Sequence, residues 1–254
     1  MRIHLFKNVV MKKLFTILVL QCLLLSSPGQ VFIETGSPTN PRDAFGSIVV
    51  YGSGGLSRAI PYNRIKGTPF WNEDWQKAYF FDSRDTSKGS YQAKFNFGNQ
   101  EVHYLNRMGE EQAAIPGELR TIIFMQKEDS TKIATVFRLT IEEIRIKANC
   151  KKCYVQELNQ GDTKLLKITK REVRSADSLF GTQKKYYFND TEEYFVQLGE
   201  QYNKIRRLTK DAFFAHIPGK TAYEAWIREK GLKFNKESDY IIFLEHYNAT
   251  HIKN

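Results

Sequence analysis

The chain has 254 residues, 38 Lys+Arg against 28 Asp+Glu, a formal charge of +10 and three cysteines. Its length allows one sizeable domain, or a domain with a helical appendage. The cations are spread along the chain, a balance compatible with anionic envelope surfaces without requiring them, and beyond one apolar run at the N-terminus no stretch approaches the length of a membrane helix.

That run follows four positive charges, Arg2, Lys7, Lys12 and Lys13, with no acid before Glu34. It extends from Leu14 to Leu25, broken by Thr16, Gln21 and Cys22, and is shorter than the roughly 20 residues a membrane helix needs. It matches the apolar core of a secretory signal, about 7–15 residues behind a basic start. Ser27, Pro28 and Gly29 put small residues ahead of a cut before Gln30, and Met11 serves as a start as well as Met1 does. An uncleaved anchor is the competing reading. A lipoprotein cut at Cys22 fits poorly, because Gln21 is bulky and three leucines follow. Residues 1–29 are therefore expected to be removed, which lowers Lys+Arg to 34 and the net charge to +6. The mature protein is expected in the periplasm, outside the cell or on its outer surface, without a transmembrane span. Nucleic acid is then excluded as a partner, because export separates the two.

Residues 30–44, with Gly36, Pro38 and Pro41, read as a linker or arm. Short strands are predicted over residues 47–51, 78–81, 91–97, 102–105, 119–126, 134–139, 154–158, 164–168, 185–188 and 194–198. In the third of these, Tyr91, Ala93, Phe95 and Phe97 fall at every second place and share one face. Gly98-Asn99 and Gly161-Asp162 supply turns. From Leu208 the period lengthens. A short helix from Thr209 must end before Pro218, Thr221 and Glu224 form a capping-box pattern, and Gly231 suits a helix stop. A last helix spans residues 237–247. The fold class is thus α+β: an antiparallel β-rich domain over 45–207, then a helical segment over 208–254. Tyr223, Trp226, Ile227, Tyr240 and Leu244 are too large and apolar to leave in water, so these helices should pack on the β domain.

Cys150-Lys151-Lys152-Cys153 holds the two cysteines outside the signal. An oxidising compartment favours a disulfide between them. Redox work would require Cys150 at a helix N-terminus, and the flanking Arg145-Ile146-Lys147 and Tyr154-Val155-Gln156 look strand-like, so the pair is expected to close a hairpin. A zinc site needs two further ligands, and His103, His216, His246 and His251 lack matching spacing. No metal or cofactor is implied. Phe70-Trp71-Asn72-Glu73-Asp74-Trp75 sets two carboxylates between two indoles. In an extended segment Trp71 and Trp75 share a side and could form a ligand platform or pack in the core, whereas Glu73 and Asp74 point apart and cannot serve one glycosidic bond. Gly52-Ser53-Gly54-Gly55 lacks the Lys-Ser/Thr ending of a phosphate loop. The pairs Glu110-Glu111, Glu142-Glu143 and Glu192-Glu193 are expected in solvent.

The segments Gly67-Thr68-Pro69-Phe70-Trp71 leading to Trp75, Lys94-Phe95-Asn96, Leu158-Asn159-Gln160-Gly161, Leu165-Leu166-Lys167, Asp177-Ser178-Leu179-Phe180-Gly181-Thr182 and Tyr240 to Asn248 resemble those of a group of exported proteins of Bacteroidota with no assigned activity. The resemblance implies a periplasmic or outer-surface place in a Gram-negative cell and no functional residue. The expected function is a non-catalytic envelope module presenting a surface to another protein or a glycan. The alternative is a hydrolase of envelope polysaccharide or peptide.

Overall fold

The computed structural model describes residues 47–51, 57–115, 117–178 and 181–251, so the expected signal peptide, the arm and the Gly52-Ser53-Gly54-Gly55 loop lie outside it. The described strands are β1 (Ser47–Tyr51), β2 (Ser57–Pro61), β3 (Ile65–Lys66), β4 (Gln76–Asp82), β5 (Ser87–Asn96), β6 (Glu101–Leu105), β7 (Glu111–Ala113), β8 (Leu119–Met125), β9 (Ile133–Leu139), β10 (Tyr154–Glu157), β11 (Thr163–Ser178), β12 (Gly181–Leu198) and β13 (Gln201–Ile205). The helices are α1 (Glu142–Ala148), α2 (Lys210–Phe214), α3 (Glu224–Glu229) and α4 (Glu237–His251). The fold is α+β.

β1 and β2 pair with each other. The other strands form one sheet ordered β13-β12-β11-β10-β9-β8-β4-β5-β6-β7, antiparallel along its whole path, with β3 parallel beside β12. The chain therefore runs outward from β4 to β7, returns to lay β8 on the other edge of β4, and meanders on to β13.

Long-range contacts curl this sheet. Phe95 on β5 stacks on Phe137 of β9 at 4.1 Å, although β4 and β8 lie between their strands. Gln100, just past β5, donates to Thr169 O on β11 and accepts from Tyr154 N at β10, each at 3.0 Å. With strands about 4.8 Å apart, β5 and β11 would be separated by about 24 Å in a flat sheet. The inner face buries Ala78, Phe80, Ala93, Phe95, Ile122, Phe124 and Phe137.

The same face continues over β11 to β13, where Leu165, Val196 and Ile205 meet Phe213, Phe214, Ile227, Phe243 and Leu244 of the C-terminal helices. On the opposite face Leu166, Ile168 and Phe195 meet Ile144 and Ala148 of α1. Both faces of this half of the sheet are thus covered.

Three local expectations are corrected. Arg145-Ile146-Lys147 is not strand-like but lies within the helix Glu142–Ala148: Ile144 and Ala148 lie one turn apart on the buried side, and an ion pair joins Glu143 to Lys147. Ile146, whose branching looks like a strand signal, is 73% exposed. The Thr221–Glu224 capping box does not form, because Pro218-Gly219 enters a tighter 3-10 turn over Lys220–Tyr223. Gly98-Asn99 lies in the turn between β5 and β6 as expected, and its left-handed residue is Gln100 (φ 56°). β11 and β12 run far beyond the expected segments, since each supplies the other's backbone partners, and Val173, Tyr186 and Phe188 pack on Ile60 and Ile65. The stop at Gly231 has the expected form: its N–H donates to Arg228 O, and Leu232 N–H to Ile227 O.

Candidate functional site

Alternate residues of four strands meet α1 on the outer face of the sheet. β9 presents Arg138, β10 Val155 and Glu157, β11 Lys164 and Leu166, and β12 Gln197, because period-two geometry sends every second side chain to this side. Tyr202 of β13 faces Gln197, and Ile141 and Ile144 at the start of α1 overhang the rest. These residues line a cavity of about 200 Å³.

Its centre is an ion triad. Glu157, with a side chain 10% exposed, accepts from Arg138 Nε at 2.8 Å and from Lys164 Nζ at 3.0 Å. Arg138 Nη1 also donates to Thr121 Oγ1. Each carboxylate oxygen is thus taken by one cation, Oε1 by Arg138 and Oε2 by Lys164, and the triad keeps a net positive charge. Burial, and then Glu143, push the Tyr202 phenol above its ordinary value, so it faces the cleft as a neutral hydroxyl. The rest of the lining is aliphatic: Val155 and Leu166 lie beside Arg138 and Glu157 on the same sheet face, and Ile144 comes from α1. Chemically the cleft can orient a small anion.

Comparison of the chain with models of protein families, with curated proteins and with solved structures gives no match.

Behind the cleft, Cys150 and Cys153 are joined by a disulfide. The pair does not close a hairpin. It ties the end of α1 to the start of β10, with Thr140 Oγ1 donating to Cys153 O. Asn149 stops the helix in a left-handed conformation, and Cys150 N–H donates back to Arg145 O. Cys150 therefore sits at a helix C-terminus, whose dipole disfavours the thiolate that redox chemistry requires.

The structure does not bring Trp71 and Trp75 together. Trp71 N–H donates to Phe95 O and its ring packs on Phe124 and Phe137 of the inner face. Trp75 lies under the Lys94 ammonium at 4.5 Å, and Lys94 points away from its neighbour Phe95. The intervening chain is bent, not extended, with Asp74 N–H donating to Asn72 Oδ1. Both indoles are half-buried. Trp71→Ala is expected to lose about 2–4 kcal/mol, somewhat under the cost of truncating a fully buried Trp. Trp75→Ala should lose about 0.5–1 kcal/mol, the worth of an exposed cation–π contact. Thermal melts of the two variants check this; equal losses would contradict it.

The expectation that the paired acids are solvated fails for one member of two pairs. Glu111 bonds the buried His103, Oε1 to Nδ1 at 2.7 Å, and Glu101 lies 3.7 Å from Nε2. Burial opposes a charge on this imidazole, yet the two carboxylates outweigh it and hold its pKa above the ordinary value. Glu193 sits between Lys170 and Lys204, which overcome burial and hold it below the usual carboxylate range. In β12 the strand period turns Glu192 and Glu193 to opposite faces. Among the described residues, no group of three His, Cys, Asp or Glu side chains has metal-binding geometry.

Proposed function

We propose that this protein is a non-catalytic binding module of the bacterial envelope, exported by its N-terminal signal, and that the cleft under α1 takes a small organic anion with a short aliphatic body. The observation that carries this reading is the pairing of Glu157 with both Arg138 and Lys164. It leaves the cleft with positive charge for recognition and without a free carboxylate for acid–base work. The cavity of about 200 Å³ suits a ligand smaller than a drug-sized molecule. Ile144, Val155 and Leu166 supply the surface for its apolar part.

The test is an NMR titration of the whole mature protein with straight-chain carboxylates from acetate to hexanoate. Resonances of Ile144 and Tyr202 should shift saturably, most strongly with the longer acids. Lys164→Met should weaken this about 10- to 100-fold, the range of a hydrogen bond to a charged group, and Lys164→Arg should retain most of it. Absence of a saturable shift with every acid would overturn the ligand class. Turnover of an envelope polysaccharide or peptide by the purified protein would overturn the non-catalytic reading.

A further inference from the structure

We infer that the exposed face of the ribbon formed by β11 and β12, together with β3, is a binding surface for an acidic glycan. Past Thr169 the two strands continue side by side without the C-terminal helices over them. One face of this ribbon is spent on packing: Val173, Tyr186 and Phe188 lie against Ile60, Tyr62 and Ile65. The strand period sends Glu172, Arg174, Lys185, Tyr187 and Asn189 to the other face.

The register makes a row there. Arg174 of β11 pairs with Tyr187 of β12, and Tyr187 pairs with Lys66 of β3. Three strands at about 4.8 Å spacing set the Cα atoms of Arg174 and Lys66 about 10 Å apart with Tyr187 between them. Lys185 lies two residues along β12 on the same side. Tyr187 is 39% exposed, and Lys66 and Lys185 are exposed too. The acid on this face, Glu172, engages Arg174 at 2.8 Å, so the charge around the ring is positive.

An exposed aromatic ring on a strand face, with Lys66 and Arg174 on either side and Lys185 beside it, matches a polymer that offers apolar C–H faces and regularly spaced negative charges. A sugar ring packs against the Tyr187 face while its carboxylate or sulfate lies against Lys66, Lys185 or Arg174. An anionic bilayer is a poorer match, because the apolar face of the ribbon is already buried on Ile60 and Ile65. The inference rests on the reading of this protein as an exported binding module but uses none of the cleft residues.

The test is affinity electrophoresis of the full mature chain through gels holding polygalacturonate, neutral dextran or single-stranded DNA, with flotation on phosphatidylglycerol vesicles alongside. Polygalacturonate should retard the protein, dextran should not, and added salt should weaken the effect. Tyr187→Ala and the double change Lys66→Glu with Lys185→Glu should each weaken retardation at least tenfold with an unchanged melting temperature, while Tyr187→Phe should retain it. Lys164→Met, which empties the cleft of its ammonium, should bind polygalacturonate like the parent, so failure here and failure of the cleft reading are distinguishable. No retardation by polygalacturonate, undiminished retardation of Tyr187→Ala, or tighter binding to DNA or vesicles would each overturn the inference.

Discussion

Gly161→Ala is expected to destabilise the protein by about 3–5 kcal/mol, combining backbone strain with unmade buried hydrogen bonds. Gly161 holds φ at +110° in the turn between β10 and β11, a conformation costly for any residue with a Cβ. A Cβ placed there would lie 2.4 Å from Asn248 Nδ2 and 2.6 Å from its Cγ. Asn248 cannot retreat cheaply. From α4 it donates to Gln160 O at 2.9 Å and Thr163 O at 2.8 Å and accepts from Thr163 N at 3.0 Å, at a site 6% exposed. Urea denaturation would measure the loss. In an Asn248→Ala background the clash is gone, and Gly161→Ala should then cost only the strain, about 1–2 kcal/mol less than in the parent. Strict additivity of the two changes would show that the side chains do not meet.

Phe137→Ala should lose about 3–5 kcal/mol, the range for a buried aromatic truncated to a methyl. Phe137 is 1% exposed and touches Phe95, Phe97, Phe124 and Trp71 at once. Phe124 comes from the neighbouring strand β8, whereas Phe95, Phe97 and Trp71 come from β5, its following turn and the segment before β4, which the curl brings near. A cavity there cannot collapse without flattening the sheet. Phe137→Leu should recover more than half of the loss by refilling most of the volume. Equilibrium unfolding of the two variants checks this, and a loss under about 1 kcal/mol for Phe137→Ala would contradict the placement of the ring at the centre of the inner face.

Two segments far apart in the chain meet in space: Leu158-Asn159-Gln160-Gly161 forms the turn that Asn248, at the end of Tyr240 to Asn248, clasps. Asn159 completes the clasp, accepting from Leu165 N at 2.7 Å and donating to Thr163 O at 2.8 Å. Their chemistry is that of a joint between α4 and the sheet. A list of residues 85 positions apart gives no hint of this, because hydrogen-bond partners carry no periodic signal along the chain.

Alternation of apolar side chains determined most of the strands, as in Tyr91 to Phe97. The longer period after Leu208 determined the C-terminal helices, and the size of Tyr223, Trp226, Ile227, Tyr240 and Leu244 called for a sheet beneath them. These are local features, since a strand or helix face is written within ten or so residues. The tertiary structure decided the rest. It split Trp71 from Trp75 by a bend that no residue spacing announces. It made residues 142–148 a helix, because burying Ile144 and Ala148 on Leu166 and Phe195 outweighs the strand preference of Ile144 and Ile146. It built the Arg138, Glu157 and Lys164 triad and the Arg174, Tyr187 and Lys66 row from polar residues that look like solvated positions in their own strands. Strand register is a property of pairs of segments, and it alone sets those side chains next to one another.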